Sequence, residues 1–232
     1  VRESLAGART SSEVASVASA EAQRIAGRDV SFDFTGSDAQ IAREHAEGIL
    51  RGLERYPTAN LRAVRMVSEI EGDEGYAMTT ADGDGWSISF SRDAQKYGEK
   101  SYRADLTQEG KRKFRTTSTP MGAALHEFGH VIANQYGRNR HAQDHAELHA
   151  RYARGGADVE STVRGEVSGY AATSSKELAA EAFADVMANG PKASELSREI
   201  FERIDAGIRM QESGLFADDA VFVSQPPAAD GR

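Results

Sequence analysis

The spacing of apolar side chains divides this chain into helices and a few short strands. From Pro120 to Tyr136, apolar residues fall at Met121, Ala124, Leu125, Phe128, Val131, Ile132 and Tyr136. That recurrence predicts a helix with one face in a core. Thr119 is placed to cap it, Pro120 suits its first position because no N–H is needed there, and Gly137 marks its end. Another helix is predicted from Ile41 to Tyr56, with Ile41, His45, Ile49, Leu50 and Leu53 on one side and Pro57 as the stop. A later one starts at Ser174 or Ser175 and carries Leu178, Ala182, Phe183, Val186 and Met187 as its apolar stripe. The pattern between Leu61 and Phe90 is that of strands. Leu61 to Ile70 has strand character, Glu71–Gly75 reads as a turn, and Tyr76 to Thr80 as a second strand. Asp82-Gly83-Asp84-Gly85 closes another turn, after which Trp86 to Phe90 alternates as a third strand. These elements predict an α+β fold with a small mixed or antiparallel sheet packed on helices.

At 232 residues the chain is long enough for one substantial domain with arms. Residues 29–212 carry the strong patterns and are expected to form that domain. Residues 1–28 are rich in Ser and Ala with weak periodicity, and read as a linker or a marginal helical arm. Residues 213–232, with Pro226 and Pro227 among small residues, read as an extended tail. No apolar run is long enough for a membrane span, so a soluble protein is expected. A net charge of −8 argues against a general nucleic-acid binder. The chain begins at Val1, and is expected to be a processed product or a piece of a larger polypeptide or assembly.

The candidate chemistry lies in His126-Glu127-Phe128-Gly129-His130, an HExxH pattern inside the first predicted helix. Histidines four residues apart share a helix face and can converge on one metal ion, with Glu127 beside them as the base for a water. Thiolate sites are excluded because there is no cysteine. A metzincin pattern is excluded as well. Tyr136 stands where its third histidine would be, and Ala133 where it needs glycine. A carboxylate from the helix after Ser174 is the remaining common solution. Glu177, Glu181 and Asp185 repeat every four residues on one face beside the apolar stripe, where they can reach a cation at a seam between helices. A solvated acidic face is the ordinary meaning of that spacing.

The stretch from Ser168 to Asp185, together with HEFGH, resembles the gluzincin metallopeptidases, and is most similar to the catalytic domain of anthrax lethal factor and its relatives. Tyr170, seven residues before Glu177, reproduces a tyrosine-to-glutamate spacing of that family. The resemblance covers roughly Ser118 to Asn189. It implies a zincin-like fold and a zinc-dependent endopeptidase. It implies that His126, His130 and Glu177 bind Zn2+ and that Glu127 activates the zinc-bound water. Tyr170 would stabilise the oxyanion, and Glu181 would orient a histidine ligand from behind. A second gluzincin pattern, E-x-x-x-D, fits Glu181 as ligand with Asp185 behind it. The Tyr170 spacing favours Glu177. Domains with this look occur in secreted toxins and in phage head or tail proteins, so a secreted or virion-associated setting is implied.

Gluzincins carry a sheet whose edge strand pairs with an extended peptide substrate. Trp86–Phe90 is expected to be that edge, as the last strand before the HExxH helix. Asp82-Gly83-Asp84-Gly85 lacks the rest of a calcium loop and reads as a hairpin turn. His141, His145 and His149 on an Ala- and Glu-rich helix, and the basic cluster Lys111-Arg112-Lys113 with Arg115, both read as solvated. Two other functions stay open at this point. One is a zinc hydrolase of a non-peptide amide, and the other is a catalytically silent structural or interaction module.

Overall fold

The computed structural model describes residues 1–70, 76–136, 140–156 and 158–213. The chain opens with α1 (Arg2–Ala6) and α2 (Ser11–Ala26), followed by β1 (Ser31–Asp33) and α3 (Ala39–Arg55). Strands β2 (Leu61–Val67), β3 (Ala77–Asp82) and β4 (Gly85–Ser91) come next. The rest is helical: α4 (Glu99–Lys111), α5 (Pro120–Tyr136), α6 (Arg140–Arg154), α7 (Val159–Glu166), α8 (Ser175–Asn189) and α9 (Glu195–Glu212). The class is α+β with a small mixed sheet, and no helix among the described residues is long and apolar enough to cross a membrane. The turn expected at Glu71–Gly75, the Gly137 stop and, apart from Ser213, the 213–232 tail lie outside the described residues.

The strand order is β1-β2-β4-β3, with β1, β2 and β4 parallel and β3 antiparallel to β4. This overturns the expectation for Trp86–Phe90. Asp82 pairs with Gly85, and Gly83 takes a left-handed φ of 62° in the turn between them. That tight hairpin folds β4 back into the slot beside β2 and leaves β3 outside. Burial explains the choice. Ile88 and Phe90 are fully buried, whereas Met78, Thr79 and Thr80 are only partly so. The more apolar strand takes the interior and the threonine-bearing one takes the edge.

Helix α5 is packed against α3, α8 and β3. Small residues make the helix contacts close. A Cβ added at Gly48 of α3 would stand 2.6 Å from the Met121 carbonyl oxygen, and one at Gly52 would stand 2.5 Å from the Phe128 ring. On the α8 side, a Cβ at Gly129 would lie 2.9 Å from Ala180 Cα. Leu125, Phe128, Val131 and Ile132 of α5 are fully buried in the resulting core.

Within residues 1–28, α2 is capped at both ends and packed on the core. Thr10 and Glu13 form a reciprocal capping box at the start of α2, and Gly27 closes it in the left-handed region. Val14, Ala18 and Ala22 are fully buried in the same core, and α2 packs against α3 and β1. Alanine packs at short range, so this face has little apolar contrast for a periodicity reading to detect.

Candidate metal centre

Helix α5 starts as the sequence predicts, with Thr119 Oγ1 accepting the Gly122 N–H at 3.0 Å and Pro120 in the first turn. One turn separates His126 from His130, and the two Nε2 atoms face each other at 3.1 Å. Helix α8 is capped by Ser174, whose Oγ accepts the Glu177 N–H at 3.2 Å. Glu177 is therefore held in the first turn, above the histidines. Its Oε2 lies 3.1 Å from His126 Nε2 and 3.4 Å from His130 Nε2.

These three atoms form a nearly equilateral triangle. A tetrahedral zinc with bonds of about 2.0–2.1 Å sets its ligand atoms about 3.3 Å apart, which matches the triangle. Nor does the triangle satisfy itself by hydrogen bonding. Glu177 Oε2 is buried at ion-pair distance from both rings, yet no donor meets it in hydrogen-bond geometry. Two facing imidazole nitrogens can share only one proton between them. The three ligand atoms lie close enough together that the group could hold a metal ion.

Without a cation the proton distribution reflects the crowding. Burial alone would lower the His126 pKa, but the Glu177 and Glu181 carboxylates reverse that and raise it. Burial opposes ionisation of both carboxylates in turn, yet His126 holds each below the usual range, aided by His130 at Glu177 and by Arg115 at Glu181.

Glu181, one turn along α8, is almost fully buried behind His126. Its Oε1 lies 2.8 Å from His126 Nδ1, close but outside hydrogen-bond geometry. Its Oε2 accepts the Thr116 N–H at 2.7 Å and the Ser168 hydroxyl at 2.9 Å. Asp185 faces elsewhere and accepts from Asn189 Nδ2 at 2.7 Å and from the Ser194 N–H at 3.1 Å. The structure thus brings Glu177 to the Nε2 pair and Glu181 to the rear of His126. It does not bring Asp185 to either histidine.

Glu127 is 5% exposed, and its Oε2 accepts a hydrogen bond from Thr79 Oγ1 on β3 at 2.8 Å. Tyr170 lies beside the histidines, its ring centre 5.6 Å from that of His126. Two backbone bonds fix its loop. The Gly169 N–H donates to the Lys113 carbonyl at 2.7 Å and the Tyr170 N–H to the Phe114 carbonyl at 2.8 Å.

Arg115 departs from the solvated reading of the basic cluster. Its side chain is 11% exposed, its Nε donates to Glu109 Oε2 at 3.0 Å, and its guanidinium carbon stands 4.4 Å from the Tyr170 ring centre. The chain reverses at Lys113, which takes a left-handed φ of 51°, and turns Arg115 inward. Thr79, Arg115, Thr116 and Ser168 all touch the site and escaped the sequence reading. Each comes from a strand or loop joined to the helices only by tertiary packing, so no local spacing announces it. Among the described residues no metal-ligand cluster forms around His145 and His149, whose rings stand 4.4 Å apart on α6. The His141 side chain lies outside the described residues.

No family model matches the chain, and no curated protein or solved structure is significantly similar to it.

Proposed function

We propose that this chain is a zinc-dependent endopeptidase with a zincin-like fold of the gluzincin type. The observation that carries the reading is the convergence of His126 Nε2, His130 Nε2 and Glu177 Oε2, with the Glu127 carboxylate on the same helix and Tyr170 alongside. Zinc in such a set polarises a carbonyl and lowers the pKa of a water to about 7. Glu127 takes the proton of the attacking water and delivers it to the leaving amine. Tyr170 donates to the oxygen that gains charge as the carbonyl is attacked. Glu181, its Oε1 2.8 Å from His126 Nδ1, would orient that ring and strengthen it as a ligand when the contact aligns as a hydrogen bond.

Among the described residues β3 pairs only with β4, so its outer edge offers unpaired backbone groups. An extended peptide substrate would add to β3 in place of the expected Trp86–Phe90. The test is metal content on protein purified without a nickel column, followed by digestion of a peptide library. About one zinc per chain, lost in His126→Ala, with cleavage that Glu127→Gln abolishes, is the expected result. Zinc without cleavage of any peptide would replace the peptidase with a silent module of the same fold.

A further inference from the structure

We propose that the Thr79 hydroxyl is the positioning group for Glu127, clamping its carboxylate to the edge strand; the inference rests on the peptidase reading above. Thr79 lies in the middle of β3, paired with Ile88 of β4, and its side chain reaches α5. Its Oγ1 is 2.8 Å from Glu127 Oε2 and 3.0 Å from the main-chain carbonyl oxygen of the same residue. The Thr79 hydroxyl therefore stands between the Glu127 carboxylate and the Glu127 main-chain carbonyl, and its single proton goes to one of them at a time. A free glutamate side chain has several rotatable bonds and many rotamers. The hydrogen bond from Thr79 to the carboxylate favours the rotamer that reaches the strand.

The chemistry of a hydroxyl suits the role. It has one proton to donate, two lone pairs to accept with, and a rotor that turns to suit its neighbours. Thr79 can donate to the carboxylate or to the carbonyl without moving its oxygen. Because that oxygen belongs to the outermost strand, the carboxylate is aligned with the very edge along which an extended peptide would lie. A base displaced by about 1 Å can lose roughly 100-fold in rate.

A purely space-filling Thr79 makes a different prediction, and two substitutions separate them. Thr79→Val keeps the shape and removes the hydroxyl, while Thr79→Ser keeps the hydroxyl and removes the methyl group. The probe is zinc-loaded protein carrying carbon-13 in the glutamate side-chain carboxylates, with the Glu127 resonance assigned by its loss in Glu127→Gln. We expect that resonance to move in Thr79→Val and to return in Thr79→Ser. On a cleaved library peptide, kcat should fall roughly 10- to 100-fold in Thr79→Val with KM and zinc content unchanged, and recover in Thr79→Ser. An unmoved resonance in Thr79→Val, or a shift as large in Thr79→Ser, overturns the proposal. If the wild type cleaves no peptide, the peptidase reading falls, and the carboxylate resonance still decides whether Thr79 holds Glu127.

Discussion

Replacing Gly129 by alanine probes how closely the metal centre depends on the distance between two helices. The added Cβ would meet Ala180 Cα at 2.9 Å, the Ala180 carbonyl oxygen at 3.0 Å and Phe183 Cβ at 3.1 Å. Relaxed carbon contacts lie at about 3.5–4.0 Å, and two of the three neighbours are backbone, so α8 must retreat by about half an ångström. Glu177 and Glu181 ride on α8, while the histidines stay with α5. Metal–ligand distances tolerate only about 0.2 Å, so the retreat strains both the Glu177 ligand and the support behind His126. We expect zinc affinity to fall roughly 10- to 100-fold, equivalent to about 1.4–2.7 kcal/mol, on the scale of a lost outer-shell partner. Overpacking should also lower the stability of the metal-free protein by about 1–3 kcal/mol. Competition against a chromophoric chelator measures the first quantity and urea unfolding the second. Gly165→Ala is the control, since its Cβ would meet nothing within 4 Å. It should leave zinc affinity alone and stabilise α7 by about 0.5 kcal/mol. Unchanged zinc affinity in Gly129→Ala would refute the idea that the α5–α8 approach sets the ligand geometry.

Four further outcomes are expected. Glu177→Ala should lose zinc more completely than Glu181→Ala, whose deficit should be about 10- to 100-fold; the reverse order in a zinc titration would make Glu181 the ligand. Tyr170→Phe should lower kcat about 100-fold at constant zinc content. Arg115→Met should lower kcat as well by loosening the Tyr170 ring, and a normal rate would reduce Arg115 to packing. His45 is fully buried, stacked 3.8 Å from Phe90 and 3.2 Å from the Tyr102 hydroxyl, and burial with the Arg103 charge pushes its pKa down to about 3. Above pH about 6.5 it is neutral folded and unfolded; below that only the unfolded chain takes the proton, so stability falls by about 1.4 kcal/mol per pH unit toward pH 3. Urea midpoints at pH 7 and 5 should therefore separate less in His45→Gln than in the wild type, and equal separations would show that His45 does not govern the acid loss.

Much of the helical framework was legible because it is written in local spacing. Thr119, Pro120 and the apolar rhythm from Met121 to Ile132 mark α5, and Ser174 marks α8 within one residue. Glu177 and Glu181 were legible as candidates, but their division of labour depends on how α8 sits across α5, which Gly129 and Ala180 decide. The strand order was not legible. Chain order points to Trp86–Phe90 as the edge, whereas the sheet sorts strands by burial and sends Thr79 to the rim. Arg115 was hidden among cations of ordinary appearance, because the reversal at Lys113 gives no periodic signal.

The segment from Lys113 to Thr116 is hooked at two places, by the Lys113 and Phe114 carbonyls to the Tyr170 loop and by the Thr116 N–H to Glu181. Ser168 closes the circuit, since its hydroxyl donates to Glu181 while accepting the Ala171 N–H at 3.0 Å. On the proposed reading, Tyr170 as oxyanion donor and Glu181 behind His126 are therefore coupled through this segment. Substitutions at Ser168 and Arg115 should fall short of additivity in a double-mutant cycle, because either one slackens the same loop. Under the proposed roles, these four residues of connecting chain would couple metal affinity to oxyanion stabilisation.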